Sequence, residues 1–462
     1  MSTADRSRAL VIGLAETGVA VARTLRAEGW DVTVVEDAPA PTPKYAERAA
    51  AVRAVGAELV EAPEESPVRV LAAGVDLVVP SPLVRPGHPA IVAARAAGVA
   101  VRSEIDVAAE RARVPIVAVT GTNGKTTVTT MVAAMLDASG VPTVAAGNLG
   151  RPLIDAVADE AVRAAPGVIV AEVSSFQLAF ARDAFRPRVA ILLAITPDHL
   201  DWHGTFDDYA AAKAQITAQQ GADDLLVFDA DDERAAAIAA AAPARRVGVS
   251  GRADAEGCFR VVGDRLVYPD GATLAPVADL ARALAHDRTN ALAAAAAALE
   301  VGASVAGIVA TLRAYRTMPH RVALVGEASG VQWYDDSKAT NPDATRRAIS
   351  SFDSVVLIAG GRNKDLDLSV LAAEAGHLRG VVAFGEAAAE IEAAFTGTAT
   401  SVEQVPDMRA AVGAARRIAQ AGDVVLLSPA CASFDAYSGY AARGDDFARE
   451  VRVQVLEEAT SR

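Results

Sequence analysis

The sequence has few of the features that mark secreted, fibrous or membrane-spanning proteins. Only two of its 462 residues are cysteines, which is too few for a disulfide framework and is typical of a reducing compartment. It has no apolar stretch of about 18 residues that lacks charges or helix breakers. No signal-peptide pattern precedes the first apolar run, which starts at Leu10. These absences predict a cytoplasmic protein that does not bind a membrane.

Basic residues are also scarce. Lys and Arg number 44 against 58 Asp and Glu, so the formal net charge is −14. A broad nucleic-acid-binding face needs clustered Lys and Arg, and we therefore expect no nucleic-acid partner. A local cradle can still bind an anionic small molecule against the overall sign of the charge. With 52% hydrophobic residues, the chain is long enough for about three domains.

Short apolar runs alternate with Ala-rich helical segments along the whole chain, which is typical of βαβ units around parallel sheets. The pattern predicts the α/β class with three domains, at residues 1–110, 111–317 and 318–462. The predicted strands are 10–12, 32–35, 59–60, 77–79 and 99–101 in the first domain, 116–119, 168–172 and 189–195 in the second, and 323–325, 331–334, 355–359, 381–384 and 424–427 in the third. Helices are predicted at about 128–138 and 290–299, and a linker at 315–321.

The first predicted turn, from Gly13 to Gly18, is an incomplete dinucleotide fingerprint. It has the first and third glycines, but Ala15 replaces the second, which normally lets the backbone approach a pyrophosphate. A nucleotide diphosphate bound at the helix N-terminus suits this turn better. Dinucleotide binding stays open as an alternative.

Residues 120–127, Thr-Gly-Thr-Asn-Gly-Lys-Thr-Thr, form a glycine-rich turn between a predicted strand and a predicted helix. Backbone N–H groups and the helix dipole of such a turn hold phosphate. Lys125 then reaches the outer phosphates and the Thr126 hydroxyl can bind Mg²⁺. The loop is a variant, because the strict pattern requires glycine where Val119 stands. An ordinary strand-to-helix turn is the alternative.

Further polar clusters follow predicted strands at 171–178, 196–203, 335–342, 360–365 and 428–435. Ligands bind at the carboxyl ends of parallel strands, so these clusters are candidate site loops. Glu172 can hold Mg²⁺ there, or it can simply be an acid at a helix start. From its spacing alone, Lys213 is an exposed helix lysine. Cys431 has no neighbouring histidine and is predicted to be a buried structural thiol.

Together these motifs resemble the Mur ligase family over essentially the full chain. The marks, in order, are Thr-Gly-Thr-Asn-Gly-Lys-Thr at 120–126, Ser-Ser-Phe-Gln-Leu at 174–178, Asp-His-Leu-Asp at 198–201, Tyr209 with Lys213, His286 with Asn290, Asp-Ser-Lys-Ala-Thr-Asn at 336–341, Ser-Pro-Ala-Cys-Ala-Ser at 428–433 and Arg443-Gly444. The resemblance implies a Rossmann-like first domain, a central P-loop ATPase-like domain and a Rossmann-like last domain. It is strongest to the branch that adds D-glutamate to UDP-N-acetylmuramoyl-L-alanine.

The resemblance implies an ATP-driven, ADP-forming ligase that works through an acyl phosphate in peptidoglycan precursor synthesis. It implies Mg²⁺, with two ions, and a carbamylated Lys213, which would turn an ammonium that cannot bind a metal into an anionic ligand. The catalytic residues it implies are Lys125, His199 and Lys213. The metal ligands it implies are Thr126 and Glu172 for one ion, with His199 and Lys213 at the other.

The substrate contacts are implied residue by residue. Those to ATP are Thr122, Asn123, Gly124, Lys125, Thr126, Thr127, Val128, Asn290, Arg321, Asp336 and Lys338. Those to the uridine nucleotide substrate are Glu16, Thr17, Glu36, Asp37 and Asn148. Those to D-glutamate are Thr340, Lys364, Ser433, Phe434 and Tyr440. We expect a monomer.

Three positions depart from the family pattern. Leu83 stands where glycine is usual, so the uridine-side loop should differ locally because leucine rarely takes a positive φ. Asp287 stands where an amide often follows the histidine, and Tyr440 stands where phenylalanine is expected. A sibling Mur ligase that adds another amino acid is the nearest rival function. A non-enzymatic nucleotide-binding switch is a rival of a different class.

Overall fold

The computed structural model describes residues 7–160, 167–316 and 318–457. Contacts divide the chain into two compact units. The first comprises the chain up to Ile195 together with Ala210–Ala283 and Asp287–Tyr315, and the second comprises Thr196–Tyr209, Leu284–His286 and the chain from Arg316. The first unit holds two sheets and the second holds one. Within the described residues, no helix is long and apolar enough to cross a bilayer.

The first sheet is fully parallel, with the order β3-β2-β1-β4-β5. This is the strand order of a Rossmann-type sheet. Its strands are β1 (Arg8–Ile12), β2 (Asp31–Glu36), β3 (Glu58–Glu61), β4 (Leu77–Pro80) and β5 (Ala100–Val101). Its helices are α1 (Glu16–Ala27), α2 (Pro43–Ala54), α3 (Glu65–Ala73), α4 (Pro89–Ala96) and α5 (Glu104–Ala109).

The second sheet has nine strands in the order β14-β13-β12-β11-β10-β9-β6-β8-β7, parallel except at β12–β13 and β13–β14. Its strands are β6 (Ile116–Thr120), β7 (Thr143–Gly147), β8 (Val168–Glu172), β9 (Val189–Leu192), β10 (Leu225–Asp229), β11 (Arg245–Ser250), β12 (Phe259–Val262), β13 (Arg265–Val267) and β14 (Thr273–Pro276). The helices along this part of the chain are α6 (Lys125–Asp137), α7 (Leu153–Ala158), α8 (Ser175–Leu178), α9 (Leu200–His203), α10 (Phe206–Ala214), α11 (Glu233–Ala241), α12 (Ala285–Glu300) and α13 (Val305–Ala314), with 3₁₀ turns at Gln215–Thr217 and Val277–Asp279.

Helices α6 and α12 supply much of the core on this sheet. The apolar face of α6 buries Val128, Val132 and Met135, and α12 buries every residue from Ala291 to Ala298, all of which are alanines except Leu292. Alanine has the highest helix propensity, so this run forms a stable helix although each residue buries little area. The core positions the loop before α6, where the site begins.

The third sheet has the order β15-β16-β20-β17-β18-β19, antiparallel only at β15–β16. Its strands are β15 (Ala323–Ala328), β16 (Val331–Asp335), β17 (Val355–Gly360), β18 (Leu378–Phe384), β19 (Val402–Gln404) and β20 (Val424–Ala430). Its helices are α14 (Pro342–Ile349), α15 (Ala388–Ala394), α16 (Met408–Ile418) and α17 (Tyr440–Val451), with a 3₁₀ helix at Leu368–His377 and a π-helix at Arg452–Leu456.

The third sheet is buried on both faces. Along β17, Val355, Leu357 and Ala359 join one core cluster, and Val356 and Ile358 join the other. Parallel strands that are buried on both faces are continuous apolar runs, so such strands can be predicted from the sequence without knowing their partners.

The predicted α/β class is confirmed: the described residues form three sheets, and every predicted strand is present. Strand β9 is shorter than predicted and ends at Leu192. Helix α6 begins at Lys125, three residues before the predicted start, and α12 is longer at both ends than predicted. Seven strands were not predicted, namely β7, β10, β11, β12, β13, β14 and β19.

Candidate active site

The loop between β6 and α6 depends on two glycines. Gly121 has a φ of 152°, and a Cβ there would lie 2.5 Å from the Cβ of Leu193. Gly124 has a φ of 82°, and a Cβ there would lie 2.7 Å from the Asn290 side-chain oxygen. Any larger side chain at either position would need both a strained backbone and a displaced neighbour. The loop therefore packs closely against the residue that follows β9 and against α12, and it leads directly into the N-terminus of α6.

Lys125 bends back over this loop. Its Nζ donates to the carbonyl oxygens of Gly121, at 2.9 Å, and Thr122, at 2.8 Å. The same turn leads into the N-terminus of α6, where the helix dipole favours an anion. Thr127 and Val128 are buried in that first turn, so their side chains serve packing. The loop thus combines a lysine and a helix N-terminus, as phosphate sites do.

Lys213 lies at the same loop and is not the exposed lysine that its spacing suggests. Its side chain is only 1% exposed, and its Nζ donates to the Gly121 carbonyl at 2.7 Å. The Thr120 hydroxyl is 3.5 Å from the same nitrogen. Burial on α10 was not visible in the sequence because the surrounding alanines show no helical periodicity. Two lysine nitrogens therefore converge on one carbonyl of the loop.

Glu172 ends β8 beside the loop and is 3% exposed. Its Oε1 accepts a hydrogen bond from Asn148 Nδ2 at 2.7 Å, whereas its buried Oε2 has no hydrogen-bond partner. A buried carboxylate oxygen without a partner is costly unless a ligand binds it. Among the described residues, no three His, Cys, Asp or Glu side chains cluster as a metal cage. One carboxylate and the Thr126 hydroxyl suit Mg²⁺, which takes its other ligands from water and phosphate.

Glu104 is a functional candidate that the sequence reasoning missed. Its buried Oε1 accepts from the backbone N–H of Ile154, at 2.6 Å, at the start of α7. Helix α7 follows the loop that contains Asn148. Burial raises the pKa of Glu104 to about 7. A buried carboxyl group therefore links α5 to the segment after the Asn148 loop.

At the carboxyl edge of the first sheet, the residues predicted for the uridine substrate are held by local contacts. Glu36 accepts from the backbone N–H of Leu14 at 2.7 Å, so its carboxylate takes an amide of the first turn. Asp37 lies 2.9 Å from His88 Nε2. The hydrogen bond from Lys44 lowers the pKa of Glu16.

Leu83 does not adopt a positive φ, as expected for leucine. The loop closes as a turn in which the Val84 N–H donates to the Ser81 carbonyl at 3.0 Å. Thr17, also predicted for the uridine substrate, is partly buried in the first turn of α1.

In the second unit, Arg443 joins three strand-end loops. Its guanidinium donates to the Ser337 hydroxyl and carbonyl, at 2.9 and 2.8 Å, and to the carbonyls of Gly360 and Cys431, at 3.2 and 3.1 Å. Burial lowers the pKa of Arg443 to about 10, so it stays charged at neutral pH. Arg443 is one of the sequence marks of the family resemblance, but no role was predicted for it. It fixes the relative positions of the three predicted D-glutamate loops.

Two of these loops meet at Asp336. Its carboxylate accepts from the Val322 N–H and from the Ser428 hydroxyl, at 3.2 and 2.8 Å. This anchors the residue after Arg321 to the end of β20. His320 and Val322, on either side of Arg321, have φ values of 62° and 48°. Strained backbone on both sides of one arginine is typical of a functional turn.

The amino-acid contacts predicted on this unit differ in exposure. Ser433 is buried, Thr340 is partly buried, and Phe434 is 66% exposed. The Lys338 Nζ lies 3.9 Å from the centroid of the Tyr440 ring, a cation–π distance. The Tyr440 departure is therefore accommodated beside a lysine. Cys431 is buried and burial raises its pKa to about 12, which confirms the predicted structural thiol.

Lys364 is paired with Asp198, whose side chain belongs to the same unit. The Lys364 Nζ is 2.5 Å from Asp198 Oδ1, and Asn341 Nδ2 donates to Asp198 Oδ2 at 3.0 Å. Burial alone would raise the pKa of Asp198, but the charges of Lys364 and His199 lower it below its ordinary value. His199 has a φ of 53° and its Nε2 is 3.7 Å from Asp198 Oδ2.

The structure brings the predicted site residues together within each unit. In the first unit, Thr122, Lys125, Lys213 and Asn290 surround one loop, with Asn123, Gly124 and Thr126 in the loop or its helix. In the second unit, the strand-end loops that contain Lys338, Thr340, Lys364 and Ser433 are joined through Arg443. Asp287 binds Arg282 through two hydrogen bonds of 2.6 and 2.7 Å.

A strand, a glycine turn and a helix that begins at lysine define a protein with a P-loop-type central domain. Family models agree: the Mur ligase middle domain matches residues 119–298, and the Mur ligase glutamate ligase domain matches residues 320–431. The chain belongs to the Mur ligase family.

Within that family, two curated relatives match nearly the whole chain. The UDP-N-acetylmuramoylalanine–D-glutamate ligase of Frankia casuarinae is 43% identical over 458 residues, or 96% of this chain and 94% of the relative. The enzyme of the same name from Pelotomaculum thermopropionicum is 41% identical over 450 residues, or 96% of each chain.

Solved structures show the same fold at low identity. MurF from Acinetobacter baumannii has a TM-score of 0.59 and 18% identity, with 97% of this chain and 95% of that chain covered. UDP-N-acetylmuramate-alanine ligase MurC from Thermotoga maritima has a TM-score of 0.57 and 19% identity, with 97% and 99% covered.

Proposed function

We propose that this chain catalyses the ATP-dependent addition of D-glutamate to UDP-N-acetylmuramoyl-L-alanine in peptidoglycan precursor synthesis, giving ADP and phosphate. The relatives with this activity in their names cover nearly the full chain at 41–43% identity. The observation that supports ATP-driven chemistry most directly is the convergence of Lys125 and Lys213 on the Gly121 carbonyl in the phosphate loop.

The chemistry has two steps. The carboxylate of the nucleotide substrate attacks the γ-phosphorus of ATP, the bond from that phosphorus to ADP breaks, and an acyl phosphate forms. The amine of D-glutamate then attacks the acyl carbon, phosphate leaves, and an amide remains. Lys125 and the N–H groups of α6 neutralise charge on the transferring phosphoryl group, which is the main requirement of such transfer.

Magnesium, when bound, would supply further charge neutralisation on the phosphate oxygens. Glu172 and Thr126 would hold one ion, and His199 with Lys213 would hold a second. A related ligase, a bifunctional folylpolyglutamate synthase/dihydrofolate synthase from Yersinia pestis, was crystallised with AMPPNP and manganese, which supports ATP and a divalent ion here. Lys213 would need to be carbamylated, because an ammonium cannot bind a metal.

We assign residues 1–110 to the uridine nucleotide, 111–317 to ATP and 318–462 to D-glutamate. Glu16, Thr17, Glu36, Asp37 and Asn148 would contact the first substrate. Asn290, Arg321, Asp336 and Lys338 would complete the ATP site. Thr340, Lys364, Ser433, Phe434 and Tyr440 would contact D-glutamate. A cytoplasmic monomer that binds no nucleic acid fits this role.

Phosphate release with UDP-N-acetylmuramoyl-L-alanine tests the proposal against a panel of D-glutamate, L-alanine, L-lysine and meso-diaminopimelate. We expect release with D-glutamate that depends on both acceptor and amino acid. Equal release with another amino acid would identify a sibling ligase. Release that needs neither substrate would indicate a nucleotide-hydrolysing switch.

A further inference from the structure

Asp198 is a buried carboxylate to which neither the motifs nor the resemblance gives a role. It is 5% exposed, and both of its oxygens are engaged by polar side chains of the same compact unit. Oδ1 pairs with the Lys364 ammonium and Oδ2 accepts from the Asn341 amide. A buried carboxylate of this kind is retained at a cost, since replacing a buried ion pair with apolar residues is often neutral or stabilising.

The two partners of Asp198 lie on separate strand-end loops. Lys364 lies in the loop after β17, and Asn341 is the N-cap of α14, where its Oδ1 accepts from the Ala344 N–H at 2.9 Å. Asp198 therefore fixes a lysine relative to a helix start. Within the Lys364 loop, Asn363 Oδ1 accepts from the Lys364 N–H at 2.7 Å. Lys364 is thus held at its backbone N–H by Asn363 and at its ammonium by Asp198.

We propose that Asp198 is a positioning residue of the amino-acid site, which holds the Lys364 ammonium where a carboxylate of the amino-acid substrate binds it. An ammonium has three donors, so one can stay on Asp198 while another meets the substrate. Lysine has a long, flexible side chain, and fixing it beforehand lowers the entropy cost of binding. The proposal rests on the proposed function only for the identity of the amino acid.

Steady-state kinetics of Asp198→Asn, with each substrate varied in turn, test this role. Asparagine keeps the size and the contact to Asn341 but removes the charge that holds Lys364. We expect the KM for D-glutamate to rise about ten-fold, with the KM for ATP and for the nucleotide substrate changed less than two-fold. Asp207→Asn, an exposed aspartate of the same compact unit outside the 196–203 cluster, is the matched control and should leave all three unchanged.

A double-mutant cycle separates positioning from a structural role. If Asp198 acts through Lys364, then Asp198→Asn should have no further effect on the D-glutamate KM in a Lys364→Ala background. Additive effects would overturn the proposal, as would an equal rise in all three KM values. Should Asp198→Asn fail to fold, Asp198→Glu keeps the charge. We expect an intermediate D-glutamate KM from it, and a value as high as that of Lys364→Ala would also overturn the proposal.

The wild-type panel assay keeps the two proposals distinguishable. If another amino acid replaces D-glutamate as the substrate, the proposed function fails. The same cycle, measured with that amino acid, still decides the role of Asp198.

Discussion

Removing the guanidinium of Arg443 should destabilise the second unit and weaken its amino-acid site. In Arg443→Met, the buried carbonyls of Ser337, Gly360 and Cys431 lose their donor. A buried acceptor left without a partner costs about 1–3 kcal/mol. The variant no longer pays the cost of burying a charged arginine, which offsets part of the cost of the three unpaired carbonyls. We therefore expect the free energy of unfolding to fall by about 4 kcal/mol. At roughly 2–4 °C per kcal/mol, the transition of this unit should fall by about 8–16 °C.

Differential scanning calorimetry measures this loss, and kinetics measure its consequence for the site. Because the three loops joined by Arg443 contain the predicted D-glutamate contacts, the KM for D-glutamate should rise more than that for ATP. Arg449→Met, on the same helix, is the matched control. The Arg449 side chain is 64% exposed and its ion pairs are on the surface, where such pairs are worth little. A transition in Arg443→Met within 3 °C of that control, a tolerance of about 1 kcal/mol, would refute the reasoning.

Four further outcomes are expected. Lys125→Ala should lower kcat by about two powers of ten or more, with nucleotide-sugar binding retained by calorimetry, because phosphoryl charge is no longer neutralised. Lys213→Ala should be nearly inactive and partly rescued by a small carboxylic acid, and wild-type activity in Lys213→Arg would contradict carbamylation. Lys364→Ala should raise the D-glutamate KM about ten- to a hundred-fold in steady-state assays, because a charged hydrogen bond is lost, and an unchanged value would contradict that contact. The raised pKa of Glu104, about 7, means that the folded protein binds the extra proton, so stability should fall as pH rises from about 4.5 to 7. In urea titrations, Glu104→Gln should remove a change on the order of 3 kcal/mol, and an unaltered pH profile would contradict this.

The sequence predicted the three sheets because their central strands are buried on both faces. Strand β17 and the first four residues of β20 are unbroken apolar runs, and no register or partner is needed to recognise them. Strands β7, β12 and β13 were missed because they contain no such run. Strand β7 is Thr-Val-Ala-Ala-Gly, and β12 and β13 are short strands that contain arginine. Their stability comes from neighbouring strands, which a local pattern does not reveal.

The start of α6 was placed too late because its signal is not the usual one. Helices commonly begin after Ser, Thr, Asp or Asn, whose side chain caps the first N–H groups. Here the N-cap is Gly124, in a left-handed conformation and without a side-chain cap. No side chain caps the first N–H groups, and an uncapped helix start is what a phosphate site requires. The helix boundary was therefore missed because the stabilising cap that usually marks a helix start is absent here.

The residue types of the site were predictable, but their partners were not. Asp198 and Lys364 are 166 positions apart, and no local pattern relates them. Lys213 was read as exposed from its own helix, and only the contact with Gly121, 92 positions away, shows that it is buried. Such contacts depend on how whole sheets pack, which periodicity does not encode.

The Asp287 departure shows how a changed motif position can keep its local structure. An aspartate at a buried helix start would be costly without a partner. Arg282, five residues earlier, supplies two hydrogen bonds and leaves the carboxylate fully paired. The Arg282–Asp287 pair neutralises both charges locally. Asn290, about one helical turn after Asp287 on α12, can still lie close to Gly124. A motif departure that brings its own counter-charge is therefore compatible with a loop geometry in which Asn290 lies close to Gly124.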